Sequence, residues 1–336
     1  MGILIVLALP AAAWADVHVW TPSDPTDIDW SNPDNWVTHP NSTCEEALFH
    51  QGHAELTTGS HTYDQVTHYG LTPGGIAHTG GSLQAGALFL GIDGTSTYDL
   101  TGSGTVTLDQ LSLGIWGTGS LTQSGGSMSA NYVYVGGHIG SSGDLVINGG
   151  LSSVGMVHVK SGSSVTVNST MEIGTLTLDA GATLQGGSGS ILQIGGNSHL
   201  DIRTNDPSQV RLQDATIQVA AAEAGQAGPK LEAAAVDRGA TDAGFVDNVV
   251  LGTLRIDTAS DLPLLVVDET DNTPGAAGSD AVYVETLEIG DVAWLDAGTV
   301  PIYYRNGGEV KRLLSGDNNL DGEVNLLDFS MMCSNY

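Results

Sequence analysis

The residues best suited to chemistry lie in Gly316 to Tyr336, GDNNLDGEVNLLDFSMMCSNY. Asp317, Asn319, Asp321, Glu323, Asn325 and Asp328 stand at positions 1, 3, 5, 7, 9 and 12 of a loop whose position 6 is Gly322. A hard dication replaces its water shell with about six to eight oxygens, and this spacing converges that many on one point. The expected ion is Ca2+. Asp317, Asn319 and Asp321 supply side-chain oxygens and Glu323 its backbone carbonyl. Asn325 acts through a water, and Asp328 closes the site from the first turn of a helix. Gly322 permits the sharp bend.

Leu326, Phe329 and Met332, with Leu327 and Met331 beside them, give that helix an apolar face. On the other side of the loop, GGEVKRLLSG carries glycines that discourage an entering helix. A calcium loop followed by a single helix resembles one half of a type I dockerin. In that family two such halves bind a cohesin domain and attach secreted enzymes, often polysaccharide-degrading ones, to a scaffold. One half is present here, covering 21 of 336 residues, and Leu326 and Leu327 stand where polar recognition residues are usual. The resemblance implies calcium binding and an attachment role. The partners it leaves open are a cohesin-like or cell-surface protein, another copy of the chain, or the chain's own last coil.

Such a motif needs a platform, and the middle of the chain repeats one. Aliphatic pairs at i and i+2 recur as Leu88 and Leu90, Leu111 and Leu113, Val133 and Val135, Val157 and Val159, and Leu176 and Leu178. Their second members are 23, 22, 24 and 19 residues apart, and Gly91, Gly114 and Gly136 follow the first three pairs. Period-two alternation puts each pair on one strand face, and a repeat near 22 residues is one solenoid coil. The period Leu111 to Tyr132 divides into three short strands around Leu113, Leu121 and Met128. The expected fold class is all-β, a parallel β-helix of three-strand coils with a C-terminal calcium loop plus helix. The alternatives are an antiparallel β-sandwich and a β-propeller; the period is short for a propeller blade, and no series of hairpin turns dominates.

The formal charge of −29, from 38 acidic and 9 basic residues, speaks against a nucleic-acid partner, which needs clustered Lys and Arg. Residues 1–15 read as a signal peptide, an apolar run ending in Ala13-Trp14-Ala15, so the chain is expected to be secreted, extracellular or at the cell surface. That run is too short for a transmembrane span, and no other segment is apolar enough for one. Cys44 and Cys333 stand at opposite ends and are expected to be unpaired thiols unless the fold brings them together.

Residues 16–76, with Trp20, Trp30 and Trp36, read as an N-terminal cap that plugs the open end of the solenoid. Its WSNPDNW stretch resembles the N-terminal WxxxxNW segments of secreted bacterial repeat proteins. His50, His53, His61, His68 and His78 fit no compact metal-ligand spacing. Residues 77–202 are the repeats and 203–248 an irregular, acidic, Ala-rich insertion. Residues 249–312 carry further β coils, whose last stretch resembles the closing coil before the terminal module of secreted planctomycete-type proteins, and 316–336 the calcium motif.

Two function classes follow. The first is a non-catalytic scaffold or adhesion protein attached through its calcium motif. The second is a polysaccharide-binding or polysaccharide-degrading protein that stacks sugars on Trp116, Tyr132 and Tyr134. For catalysis, Asp93, Asp99, Asp109, Asp144, Glu172 and Asp179 fall in different phases of the repeat, and no catalytic constellation is read from them.

Overall fold

A computed structural model describes residues 17–22, 26–37, 46–50, 52–220, 226–256, 263–272, 280–290 and 295–314. The expected signal peptide, both cysteines, and the expected calcium loop and helix lie outside the described residues. The rest is a parallel β-solenoid of about 10 turns.

Each turn crosses three parallel sheets, and the strand Thr118–Val135 shows how. Its residues 118–123 pair in the first sheet with Thr95–Leu100. Residues 127–130 and 132–135 then pair in the second and third sheets with the two halves of Thr105–Leu113. The three positions expected from sequence, Leu113, Leu121 and Met128, thus fall one in each sheet, all buried.

The third sheet runs through Val17–Val19 and Glu46–Phe49, then residues 65–68, 87–90, 110–113, 132–135, 156–159, 175–178 and 199–202, and on to Lys230–Glu232, Leu264–Val267 and Leu295–Asp296. The aliphatic pairs stack here as the repeat requires. One interior column is Leu88, Leu111, Val133, Val157, Leu176, Leu200, Leu231 and Val266, all buried. No coil buries these side chains by itself, so stacking supplies the core.

The two corners beside the third sheet use different devices. Between the second and third sheets the chain turns at one residue, successively Asp64, Gly86, Asp109, Asn131, Gly155 and Gly174. A side chain on Gly174 would meet the Gly155 carbonyl oxygen, whereas Asn131 and Asp109 turn outward and bond to each other at 2.8 Å. Between the third and first sheets, Gly91, Gly114 and Gly136 adopt φ of 70°, 68° and 87°, which costs glycine nothing. This is why glycine follows the first three aliphatic pairs.

Regular coils begin earlier than the sequence boundary at residue 77, because Glu46–Phe49, His53–Leu56 and Ser60–His68 already pair in parallel with later strands. Two interior positions there carry histidine. His68 stacks between Phe49 and Leu90, and His78 between Leu56 and Leu100. Both are fully buried, His68 against Ser96 and the Gly52 carbonyl, His78 against Tyr98 and the Gly81 carbonyl. They are core residues, and they hide the aliphatic pattern.

The stretch 203–248 likewise keeps strands in register. Val210–Val219 spans the first and second sheets, and Lys230–Glu232 continues the third. Its described helical turn is the 3-10 segment Asp242–Phe245.

At the amino end Trp20, Trp30 and Trp36 pack around Phe49, with Trp30 Nε1 donating to Tyr63 and Trp36 Nε1 to the Trp30 carbonyl, both at 2.9 Å. This is the expected plug. At the other end Ile302–Asn306 turns through Gly307 and Gly308 into Glu309–Arg312, which pairs with it antiparallel. Among the described residues no helix is long and apolar enough to cross a membrane.

Candidate functional site

Side chains that point outward from the third sheet sit between the interior aliphatics, one position either side of each. In the first coils they are Glu46 and Leu48, then Gln65, Thr67, Ala87, Phe89, Gln110 and Ser112, which apart from Glu46 carry little chemistry. From residue 132 onward the outward positions change character, to Tyr132 and Tyr134, then His158, then, past a coil carrying Thr175 and Thr177, His199 and Asp201, then Lys230 and Glu232. The corner that follows changes with them. Gly91, Gly114 and Gly136 give way to Lys160, Asp179 and Arg203, and each of these six amides donates to the coil before it. Replacing the glycines stacks charged side chains beside the outward column.

The result is a connected polar face. His158 Nε2 lies 2.9 Å from Asp179 Oδ2, and Arg203 Nη1 reaches Asp179 Oδ1 at 3.5 Å. Arg203 also donates from Nε and Nη2 to Asp201 Oδ2 at 2.9 and 2.7 Å. The bond to Asp201 is the main reason the Arg203 guanidinium holds its proton more tightly than usual, with Asp179 and Glu232 adding attraction. Arg203 is 46% exposed, so these pairs add only about 0–1 kcal/mol each to stability. They orient groups rather than hold the fold. Asp179 fixes the orientation of the His158 ring.

One coil further, Lys230–Glu232 and Leu264–Val267 bring a second set together. Glu232 is buried, and its Oε1 accepts from the backbone amides of Glu269 and Thr270, both at 2.8 Å. Its Oε2 faces His199 Nε2 at 3.7 Å, and neither atom has a hydrogen-bond partner. Glu269 accepts from Lys230 Nζ at 2.5 Å, which holds its carboxyl below the ordinary range. Nearby, burial together with the Asp280 carboxylate raises Asp268.

Trp116 and His138 stack at the corner, ring planes 7° apart, with Trp116 59% exposed. Tyr132 is also exposed. Tyr132 and His138 lie one coil before His158 and Lys160, and Trp116 two.

Of the carboxylates singled out in the sequence, Asp179 joins this face. Asp99 and Asp144 point outward from the first sheet, Glu172 from the second, Asp109 sits at the opposite corner, and Asp93 lies in a turn. Asp317, Asn319, Asp321, Glu323, Asn325 and Asp328 lie outside the described residues. His158, His199, Asp201, Arg203, Lys230, Glu232 and Glu269 escape the sequence reading. Aligning the coils on their aliphatic pairs, and carrying the pairs on to Leu200 and Ile202, would have placed most of them in one column. No protein-family model, curated protein or solved structure matches the chain.

Proposed function

We propose that the chain is a secreted, non-catalytic β-solenoid scaffold or adhesion protein that is attached through its dockerin-like calcium motif at 316–336. The supporting observation is the filled interior: stacked columns of mainly apolar side chains occupy the coils, so the molecule meets partners on its outer faces and at its ends. The described chain leaves the closing hairpin at Arg312, four residues before the calcium motif begins. Calcium binding to the folded motif stabilises it by mass action and orders an apolar helix face for a cohesin-like protein, a cell-surface protein or another copy.

The test is calcium titration of the full chain by calorimetry and circular dichroism. Asp317→Ala with Asp321→Ala should abolish both the heat of binding and the gain in helix; an unchanged titration overturns the assignment.

A second reading, polysaccharide binding or degradation, draws support from exposed Trp116 and Tyr132 on the side of the solenoid that also carries Asp179, Asp201 and Arg203. Aromatic faces stack on sugar rings, and acid beside guanidinium suits a polar or charged glycan. Retention of the same protein in gels cast with soluble polysaccharides, lost on Trp116→Ala, would favour this reading over the first.

A further inference from the structure

We infer that His199, Glu232 and Glu269 form a binding site for a first-row divalent cation of the zinc type, separate from the calcium motif. One ligand atom from each lies within 4.8 Å of the other two. A tetrahedral ion with bonds of about 2.0–2.1 Å needs ligand atoms about 3.4 Å apart, and the 3.7 Å between His199 Nε2 and Glu232 Oε2 is already close to that. Glu269, exposed on a long side chain, closes the remaining gap by changing rotamer.

Glu232 carries the inference. Its side chain is 0% exposed, and a buried carboxylate oxygen left unpaired is destabilising. The amides of Glu269 and Thr270 hold Oε1, which fixes the carboxylate plane and aims Oε2 at the imidazole. An outer shell that orients a ligand in this way is the usual support of a metal site. Oε2 faces His199 Nε2, likewise without a hydrogen bond. A cation between them would satisfy both atoms.

The donor set selects the ion. One imidazole nitrogen with two carboxylates suits zinc, cobalt or manganese, whereas calcium takes oxygen donors throughout. Three protein ligands leave a position for water or an external ligand. Lys230 opposes the ion, because its ammonium now occupies Glu269 and its positive charge repels a cation.

That opposition gives a test no purely structural role would pass. The full chain, held in excess calcium so that the C-terminal loop is occupied, is titrated with Co2+ and followed by its visible absorption and by calorimetry. One Co2+ equivalent is expected with a nitrogen-ligated spectrum. His199→Ala should remove it, and Glu232→Gln should weaken it beyond the about 10–100-fold that outer-shell changes bring. Lys230→Gln should tighten it. Far-UV circular dichroism checks that each variant keeps its β signal, and Glu269→Gln, altered at an exposed position, serves if a buried variant unfolds. The inference is overturned if the native chain binds no Co2+ with such a spectrum, or if His199→Ala and Glu269→Gln bind it as the native chain does.

Discussion

His68 and His78 sit where a coil ordinarily places leucine, and burial holds both below the ordinary histidine range of about 6.5. At His78 the Tyr98 hydroxyl, itself pushed well above its usual range by burial, donates to Nδ1 while Nε2–H faces the Gly81 carbonyl. A histidine that is neutral in the fold but protonates readily when unfolded favours unfolding as protons are added. Its contribution is complete above about pH 6.5 and falls as pH drops toward and through the lowered folded value. The melting temperature should therefore fall between about pH 7.5 and pH 5.5, and His68→Leu, which continues the column of Phe49 and Leu90, should flatten that slope. A slope identical to the native one would assign the acid sensitivity elsewhere.

At the scale of the element, the corner after each third-sheet strand decides both stability and chemistry. Gly114 has φ of 68°, and a Cβ there would lie 1.9 Å from the Ser142 carbonyl oxygen, so the next coil blocks it as well as the backbone strain. Gly114→Ala should cost about 2–4 kcal/mol. Gly140, at φ of 89° with nothing within 4 Å, bears only the left-handed penalty, about 1–2 kcal/mol as alanine. Urea midpoints of the two variants separate coil clash from backbone strain. Where Lys160, Asp179 and Arg203 replace the corner glycine, the same position carries the charged ladder beside His158.

For the molecule as a whole, a stacked solenoid has contacts only between neighbouring coils, so its ends set its solubility and the order in which it unfolds. The aromatic plug is the expensive end. Trp30 touches Phe49, Trp36 and Tyr63 and is 1% exposed, and Trp30→Ala should cost about 3–5 kcal/mol. Because that loss is local, the urea transition should split, with the first coils unfolding ahead of the rest. Light scattering should rise as the unplugged third sheet pairs with another copy. A single, uniformly shifted transition would mean that the solenoid melts as one cooperative unit.

Much of this architecture was legible in the amino-acid order. Leu88 with Leu90 and the pairs that follow specify strand, coil length and stacking, because interior positions admit only apolar side chains and so repeat visibly. Gly91, Gly114 and Gly136 mark their corner for the same reason. The proposed calcium spacing at 317–328 is legible because its candidate ligands are neighbours in sequence. Where polar residues occupy interior positions, as His68 and His78 do, the period disappeared from view and the first coils read as cap. The face joining His158, Asp179, Asp201 and Arg203, and the group of His199, Glu232 and Glu269, came only from the tertiary structure. Outward positions need not be apolar and so show no period. Parallel stacking nevertheless sets residues 20 to 40 apart in sequence side by side, and the register that does so is a property of the assembled coils.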